Sequence, residues 1–127
     1  MVKSKFAKSW KSSKQPRKQR KYRYNAPLHI KSKFISSHLS KELREKYKKR
    51  SIRTRKNDKV KILRGQFKGK TGKVERVDTR RNKIYITGIE VIKKDGTKVL
   101  YSINPSNLMI LELNLDDKKR VKALERK

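Results

Sequence analysis

The sequence predicts a mainly β protein: a small, partly open barrel over residues 58–113. A short helix precedes it, a C-terminal helix follows it, and a long basic extension leads in from the N-terminus. Three observations carry this. Apolar and polar residues alternate at period two through about five short runs in the second half of the chain. Gly, Asn, Asp and Pro fall between those runs at turn spacing. Composition also shifts along the chain, since residues 1–38 hold 12 Lys or Arg and no acid. About five short strands in so short a stretch cannot build a broad sandwich, so a small barrel is the economical way to close the core.

The runs are specific. Val60 and Ile62 alternate with lysines, and Val74 and Val77 follow the glycines. Ile84 and Ile86 flank Tyr85, then come Ile89 and Val91. Val99, Tyr101 and Ile103 alternate, followed by Leu108 and Ile110. The breaks are Gly65–Gly72, Asp78–Asn82, Gly88, Asp95-Gly96 and Asn104-Pro105-Ser106-Asn107. Asp95-Gly96 between alternating runs predicts a hairpin with a type I′ turn. A domain this small buries a modest share of its surface, so marginal stability without a partner is expected.

Two helices flank this unit. In residues 39–57, a short helix and basic linker, Ser40 is placed to cap a helix with Glu42 in its first turn and lysines in its last. Leu39, Leu43 and Tyr47 form a narrow apolar stripe for docking. The following "KKRSIRTRKN" offers Lys48, Lys49, Arg50, Arg53, Arg55 and Lys56 as an extended segment for a phosphate backbone. Over residues 114–127, Asp116 is the expected cap of a terminal helix that docks through Val121, Leu124 and Leu115.

Residues 1–38 read as a basic, extended arm, disordered when free because they bury too little apolar area to offset ordering entropy. Yet five of the nine aromatics lie here: Phe6, Trp10, Tyr22, Tyr24 and Phe34. Rings interleaved with cations suit RNA, where bases stack and phosphates are neutralised. The candidate RNA-binding residues of the arm are Lys5, Lys8, Trp10, Lys11, Lys14, Arg17, Lys18, Arg20, Lys21, Tyr22, Arg23, Tyr24, Lys31 and Lys33. Arg80 and Arg81, in the turn after Asp78, join them.

Charge narrows the function further. With 40 Lys+Arg against 11 Asp+Glu, the formal net charge is +29, and only 32% of residues are hydrophobic. A compact body so charged repels itself and calls for a polyanion, RNA or DNA. No apolar run approaches the roughly 18 residues of a membrane span, and no broad amphipathic face suits a membrane surface, so no membrane partner is expected. The N-terminus lacks the apolar core of a secretory signal. There is no cysteine and there are two histidines, which argues against metal sites and thiol chemistry. No cofactor, small-molecule substrate or enzymatic activity is expected.

One stretch bears on the last point. "RGQFKGKT", residues 64–71, comes within one residue of the phosphate-binding pattern G-x-x-x-x-G-K-[ST]. That pattern needs a helix after the loop, whose amides face the phosphates. Here Gly72-Lys73-Val74-Glu75-Arg76-Val77 predicts a strand instead. The stretch reads as β-turn-β. Gly65, Gly69 and Gly72 either take positive φ or allow close backbone approach. Arg64, Lys68, Lys70 and Lys73 then make a compact cationic knob. Phe67 at its tip either stacks on RNA or covers the open end of the barrel.

These residues resemble a known family. "DKVKILRGQFKGKTGKVERVDTRRNKIYITG", residues 58–88, looks like a KOW motif. With "LSKELREKYKKRSIRTRKND" before it and "INPSNLMILELNLDDKKR" after it, the chain resembles the family of large-subunit ribosomal protein twenty-four, in its archaeal and eukaryotic form (L twenty-six in eukaryotic naming). The resemblance covers about residues 37–126. It implies an SH3-like barrel, binding to the 5′ domain of large-subunit ribosomal RNA, an early role in subunit assembly, and a place near the peptide exit tunnel. Neighbouring large-subunit ribosomal proteins and a cytoplasmic location in the large subunit follow from it. The motif carries over Arg64, Lys68, Lys70 and Lys73, and the flanks carry over Arg44, Arg50 and Arg53.

Two other readings share parts of this pattern. A KOW-type transcription elongation factor would need an α/β domain upstream, for which residues 1–57 are too polar and too short. A general RNA chaperone or nucleoid protein would share the charge but bind with little regard to sequence.

Overall fold

The computed structural model describes residues 6–7 and 12–126. Lys5, Lys8, Trp10 and Lys11, assigned above to the RNA-binding arm, lie outside the described residues. The arm is not simply extended. It forms helices α1 (Pro16–Asn25) and α2 (Leu28–Phe34). Pro16 opens α1, where a missing N–H costs nothing. Pro27 separates the two helices: it holds Ala26 in extended backbone and cannot continue α1. Strand β1 (Ser36–Leu39), helix α3 (Lys41–Tyr47) and strand β2 (Ser51–Arg53) follow. Ser40 does cap α3, its Oγ accepting from Leu43 N–H at 3.4 Å. The helix stops at Lys48, which is in left-handed backbone.

The five expected runs are five strands: β3 (Lys59–Ile62), β4 (Thr71–Asp78), β5 (Lys83–Ile92), β6 (Lys98–Ile103) and β7 (Leu108–Glu112). They do not close into a barrel, SH3-like or otherwise. All seven strands lie in one open sheet of order β2-β1-β7-β3-β4-β5-β6, so β2 and β6 end it. The reason is local. One edge of β7 pairs antiparallel with β3, and its other edge is taken by β1, which runs parallel to it with Leu39 opposite Ile110. No edge of β7 is left to close against β6. The preceding segment, read as arm and linker, therefore extends the sheet.

The sheet still curls over one core. β4 pairs with β3 through residues 71–73 and with β5 through residues 74–78, with a bulge between Val74 and Arg76. A bulge adds local twist and bends the strand. Leu39, Val60, Ile62, Val74, Ile84, Ile86, Leu108 and Ile110 are all buried at the resulting concave face. Ile35, from the end of the arm, is buried with them. Just outside the core, Thr54 Oγ1 donates to Ser37 Oγ at 2.7 Å and Ser37 Oγ donates to the Pro105 carbonyl at 2.9 Å. These buried hydroxyls tie β1, the linker and the turn before β7 together.

Two local expectations change. Among the residues of the β5–β6 turn only Gly96 has positive φ, so Asp95-Gly96 is not a type I′ pair. Lys93 and Thr97 close a three-residue loop instead. Asp95 Oδ1 accepts from Thr97 N–H and Oγ1–H, which holds Asp95 out of the left-handed region. The terminal helix, α4 (Lys118–Glu125), is capped by Asp117 rather than Asp116, with Asp117 Oδ1 accepting from Lys119 N–H at 2.8 Å. Leu124 docks and is buried, while Leu115 remains exposed.

Nothing in the sequence marks the anchor of α4. Arg120, also buried, donates from both terminal guanidinium nitrogens to the two oxygens of buried Asp58, at 2.6 and 2.7 Å. The same carboxylate accepts from Arg55 N–H and Asn114 N–H.

Candidate nucleic-acid interface

The knob after β3 shows what a glycine-rich loop can offer an anion here. Gly65 and Gly69 take φ of +97° and +87°, which turns the chain back on itself. The turn then uses three of its own donors. Lys68 N–H donates to the Gly65 carbonyl, Gly69 N–H to Ile62 at 2.8 Å, and Lys70 N–H to Phe67. A phosphate-cradling loop would leave such amides open. Thr71 starts strand β4, so no helix dipole faces the loop either. The side chains the loop offers an anion are the exposed Arg64, Lys68 and Lys70, while Lys73 on the strand beyond lines a groove with Glu112 and Asp116. Phe67 is half-buried against the edge of the core, with its ring 5.1 Å from that of Tyr101 and Lys70 Nζ 5.2 Å from its centroid. It supports the knob.

On the arm, Arg17, Lys18, Arg20, Lys21 and Arg23 are exposed along α1, with Lys14 just before it. Tyr22 lies between Phe6 and Phe34, at 4.9 and 6.2 Å between ring centroids. It joins α1 to α2 and is engaged within the protein. Tyr24 is the opposite case, 82% exposed. Lys31 and Lys33 lie on α2.

Tertiary structure brings distant cations together. One cleft is lined by Lys14, Lys18, Tyr22, Arg23 and Phe34. A second, sharing Arg23 and Phe34, adds Tyr24 and Lys31 and is completed by Thr79, Arg80, Arg81 and Asn82 of the β4–β5 turn. Asn104 lines that cleft and also a third, where Arg64 and Phe67 of the knob meet Lys83. No carboxylate lines any of the three. Arm, turn and knob thus present three adjoining cationic clefts, with Asp78 at the base of the turn accepting from Arg81 N–H.

The linker cations are placed differently. Arg55 is paired with the Asp117 carboxylate, and with Lys56 it lines a groove shared with Glu75, Asp116 and Asp117. Arg44, Lys48, Arg50 and Arg53 are exposed, but none lines the three cationic clefts. Lys49 donates to the Ala123 carbonyl at the end of α4. The acids near the chain's end therefore face Arg55 and Lys56 and line none of the three cationic clefts. Asp117 is itself held below its ordinary value of 3.8, first by the Lys119 amide and then by Arg55.

Among the described residues no cluster of three or more His, Asp or Glu can hold a metal, and no helix is long and apolar enough to cross a membrane. A curled open sheet with adjoining cationic clefts and aromatic-bearing arm helices defines a structural nucleic-acid-binding protein.

Comparison with known proteins narrows the class. The chain belongs to the family of ribosomal proteins that comprises L26 of eukaryotes and its L24-type archaeal counterparts, and the family pattern matches residues 13–127. It is also 53% identical over 112 residues to the protein named large ribosomal subunit protein uL24 of Methanospirillum hungatei, an alignment covering 88% of this chain and 93% of that one. The family is one of ribosomal proteins and not of enzymes.

Proposed function

We propose that this chain is a structural constituent of the large ribosomal subunit that binds large-subunit ribosomal RNA and assists its folding during assembly. The observation that carries the reading is the segregation of charge. Three adjoining clefts along arm, turn and knob contain no carboxylate, whereas the two grooves on the α4 side contain Glu75, Glu112, Asp116 and Asp117. A polyanion is drawn more strongly to the clefts without carboxylates than to the grooves where Arg, Lys and carboxylates offset one another, which orients the protein on its RNA. A strand where a phosphate cradle needs a helix, together with exposed Lys and Arg, suits an extended phosphate backbone better than a single nucleotide triphosphate. Contact with the 5′ domain of that RNA, near the tunnel exit and beside other large-subunit proteins, belongs to this reading and rests on the family resemblance.

Cosedimentation tests it. After a high-salt wash the native protein is expected to remain with the large ribosomal subunit. Its release, together with equal binding to unrelated RNAs in competition, would favour the general chaperone reading.

A further inference from the structure

The cleft between the arm helices and the β4–β5 turn has features that backbone neutralisation alone does not require. Its volume is about 330 Å3, at the low end of the roughly 300–1,000 Å3 of small-ligand sites. That is room for one nucleotide and too little for a duplex. Tyr24 and Phe34 both line it. Phe34 is already engaged with Tyr22, but Tyr24 is 82% exposed at the end of a helix that buries no residue. A ring so exposed has a free face at the cleft. Arg23 and Lys31 from the arm and Arg80 and Arg81 from the turn line the same cleft with no carboxylate among them. Asn82 completes the wall, and its side-chain oxygen is buried there without a hydrogen-bond partner.

We infer that this cleft receives a single unpaired nucleotide of the RNA, its base stacked on Tyr24 and its flanking phosphates held by Arg23, Lys31, Arg80 and Arg81. The inference rests on the RNA-binding function proposed above and specifies what one part of the surface recognises. Unpaired bases can leave the helix and stack on aromatic side chains, and such stacking tolerates any base because every base has a π face. The site exists only when α1 and α2 lie against the turn, so binding a bulged nucleotide also fixes the arm on the sheet.

The test uses the full chain and two RNA hairpins of equal length, one fully paired and one carrying a single bulged 2-aminopurine. At a salt concentration where the paired hairpin binds weakly, the bulged one is expected to bind about tenfold tighter, with quenching of its fluorescence on binding. Tyr24→Ala should weaken the bulged hairpin more than the paired one, removing that advantage and the quenching. Tyr24→Phe should keep both, because the ring stacks without its hydroxyl. Equal binding of the two hairpins by the native chain would overturn the cleft inference and leave the RNA-binding reading intact. Binding of neither would instead overturn that broader reading. Tyr24→Ala weakening both hairpins alike would show that Tyr24 has no part in receiving the bulge, and would also overturn the inference.

Discussion

Asp58, at the start of β3, and Arg120, in α4, are joined by two parallel hydrogen bonds across 62 residues of sequence, with both side chains almost wholly buried. Burying an ion pair is costly in itself, and such a pair is kept when its geometry is good and its remaining hydrogen bonds are filled. Here they largely are, since Asp58 also accepts two backbone amides and Arg120 donates to the Asn114 and Arg53 carbonyls. The pair therefore serves as the pin that holds the C-terminal helix and the linker to the sheet.

Removing one half of that pin should be severe. Asp58→Ala leaves a buried guanidinium without its anion and is expected to cost about 3–5 kcal/mol of stability. Urea denaturation measures it. A loss below about 1 kcal/mol, the scale of an exposed pair, would mean that the two groups do not pin the helix. A double substitution with apolar residues should recover much of the loss.

The glycines of the knob separate two physical causes. A Cβ on Gly72 would lie 2.6 Å from Ile86 Cγ2 and 2.9 Å from the Thr87 carbonyl oxygen. Gly72→Ala must push strands β4 and β5 apart, at a cost of about 1–3 kcal/mol. Gly69 has open space around it but a φ of +87°. Gly69→Ala should cost about 1–2 kcal/mol through backbone strain alone and leave core packing intact. Side-chain methyl NMR shifts of Ile86 tell the two apart: they should move for Gly72→Ala and stay for Gly69→Ala.

Acid should release α4 before the sheet. The Asp117 carboxyl titrates below its ordinary value of 3.8 because the Lys119 amide and Arg55 favour its charged form. A depressed folded value means the stabilisation is complete above the unfolded value and is lost as pH falls through the lower folded one. Amide exchange in α4 should therefore accelerate below about pH 3.8. Asp117→Asn keeps a good helix cap but removes the titrating charge, so exchange in its α4 should vary less over that range. Identical pH profiles for the two chains would exclude Asp117 as the cause.

Helix α1 should depend on counter-charge. It is ten residues long with no acid, and Arg17/Lys21 and Arg20/Arg23 fall at like-charged helical spacings. Short helices are marginal in water, and like-charged pairs weaken them further. Circular dichroism at 222 nm of the free chain should show helicity rising with added salt or polyphosphate. A signal indifferent to both would show that tertiary contacts through Tyr22 suffice to hold the helix.

The salt dependence of RNA binding should sort the cations. Replacing Arg64, Lys68 and Lys70 together by Ala should lower the log–log slope by roughly 0.7–0.9 for each phosphate no longer neutralised. Arg55→Ala should change the slope little, because its charge already faces Asp117, and should weaken α4 docking instead. Deleting residues 1–34, which spares buried Ile35, should leave the sheet folded and reduce the slope most. An unchanged slope after that deletion would remove the arm from the interface.

Several of these features were readable in the chain. Ser40 before an apolar-periodic stretch marks a helix start whatever surrounds it, and β-branched residues after Thr71 exclude a phosphate-binding helix. Local rules failed where the partner was distant. "SSHL" contains no β-branched residue, and it is a strand because β7 offers it a free edge and Leu39 a place in the core. Asp58 and Arg120 look like two ordinary charges among many. Tyr22 and Tyr24 stand two residues apart in the same basic context, yet one joins the helices and the other faces the cleft.

Composition and period-two patterning by themselves determined that this protein is a cationic β-sheet module for a nucleic acid, since charge and alternation are properties of the chain before it folds. Tertiary structure decided that the sheet stays open, that the acids near the end of the chain face Arg55 and Lys56 and not the arm, and that residues 23–34 meet residues 79–82 in one cleft. Those outcomes depend on which strand takes the free edge of β7 and on which charges are close enough to pair. Both are matters of three-dimensional distance, which spacing along the chain does not encode.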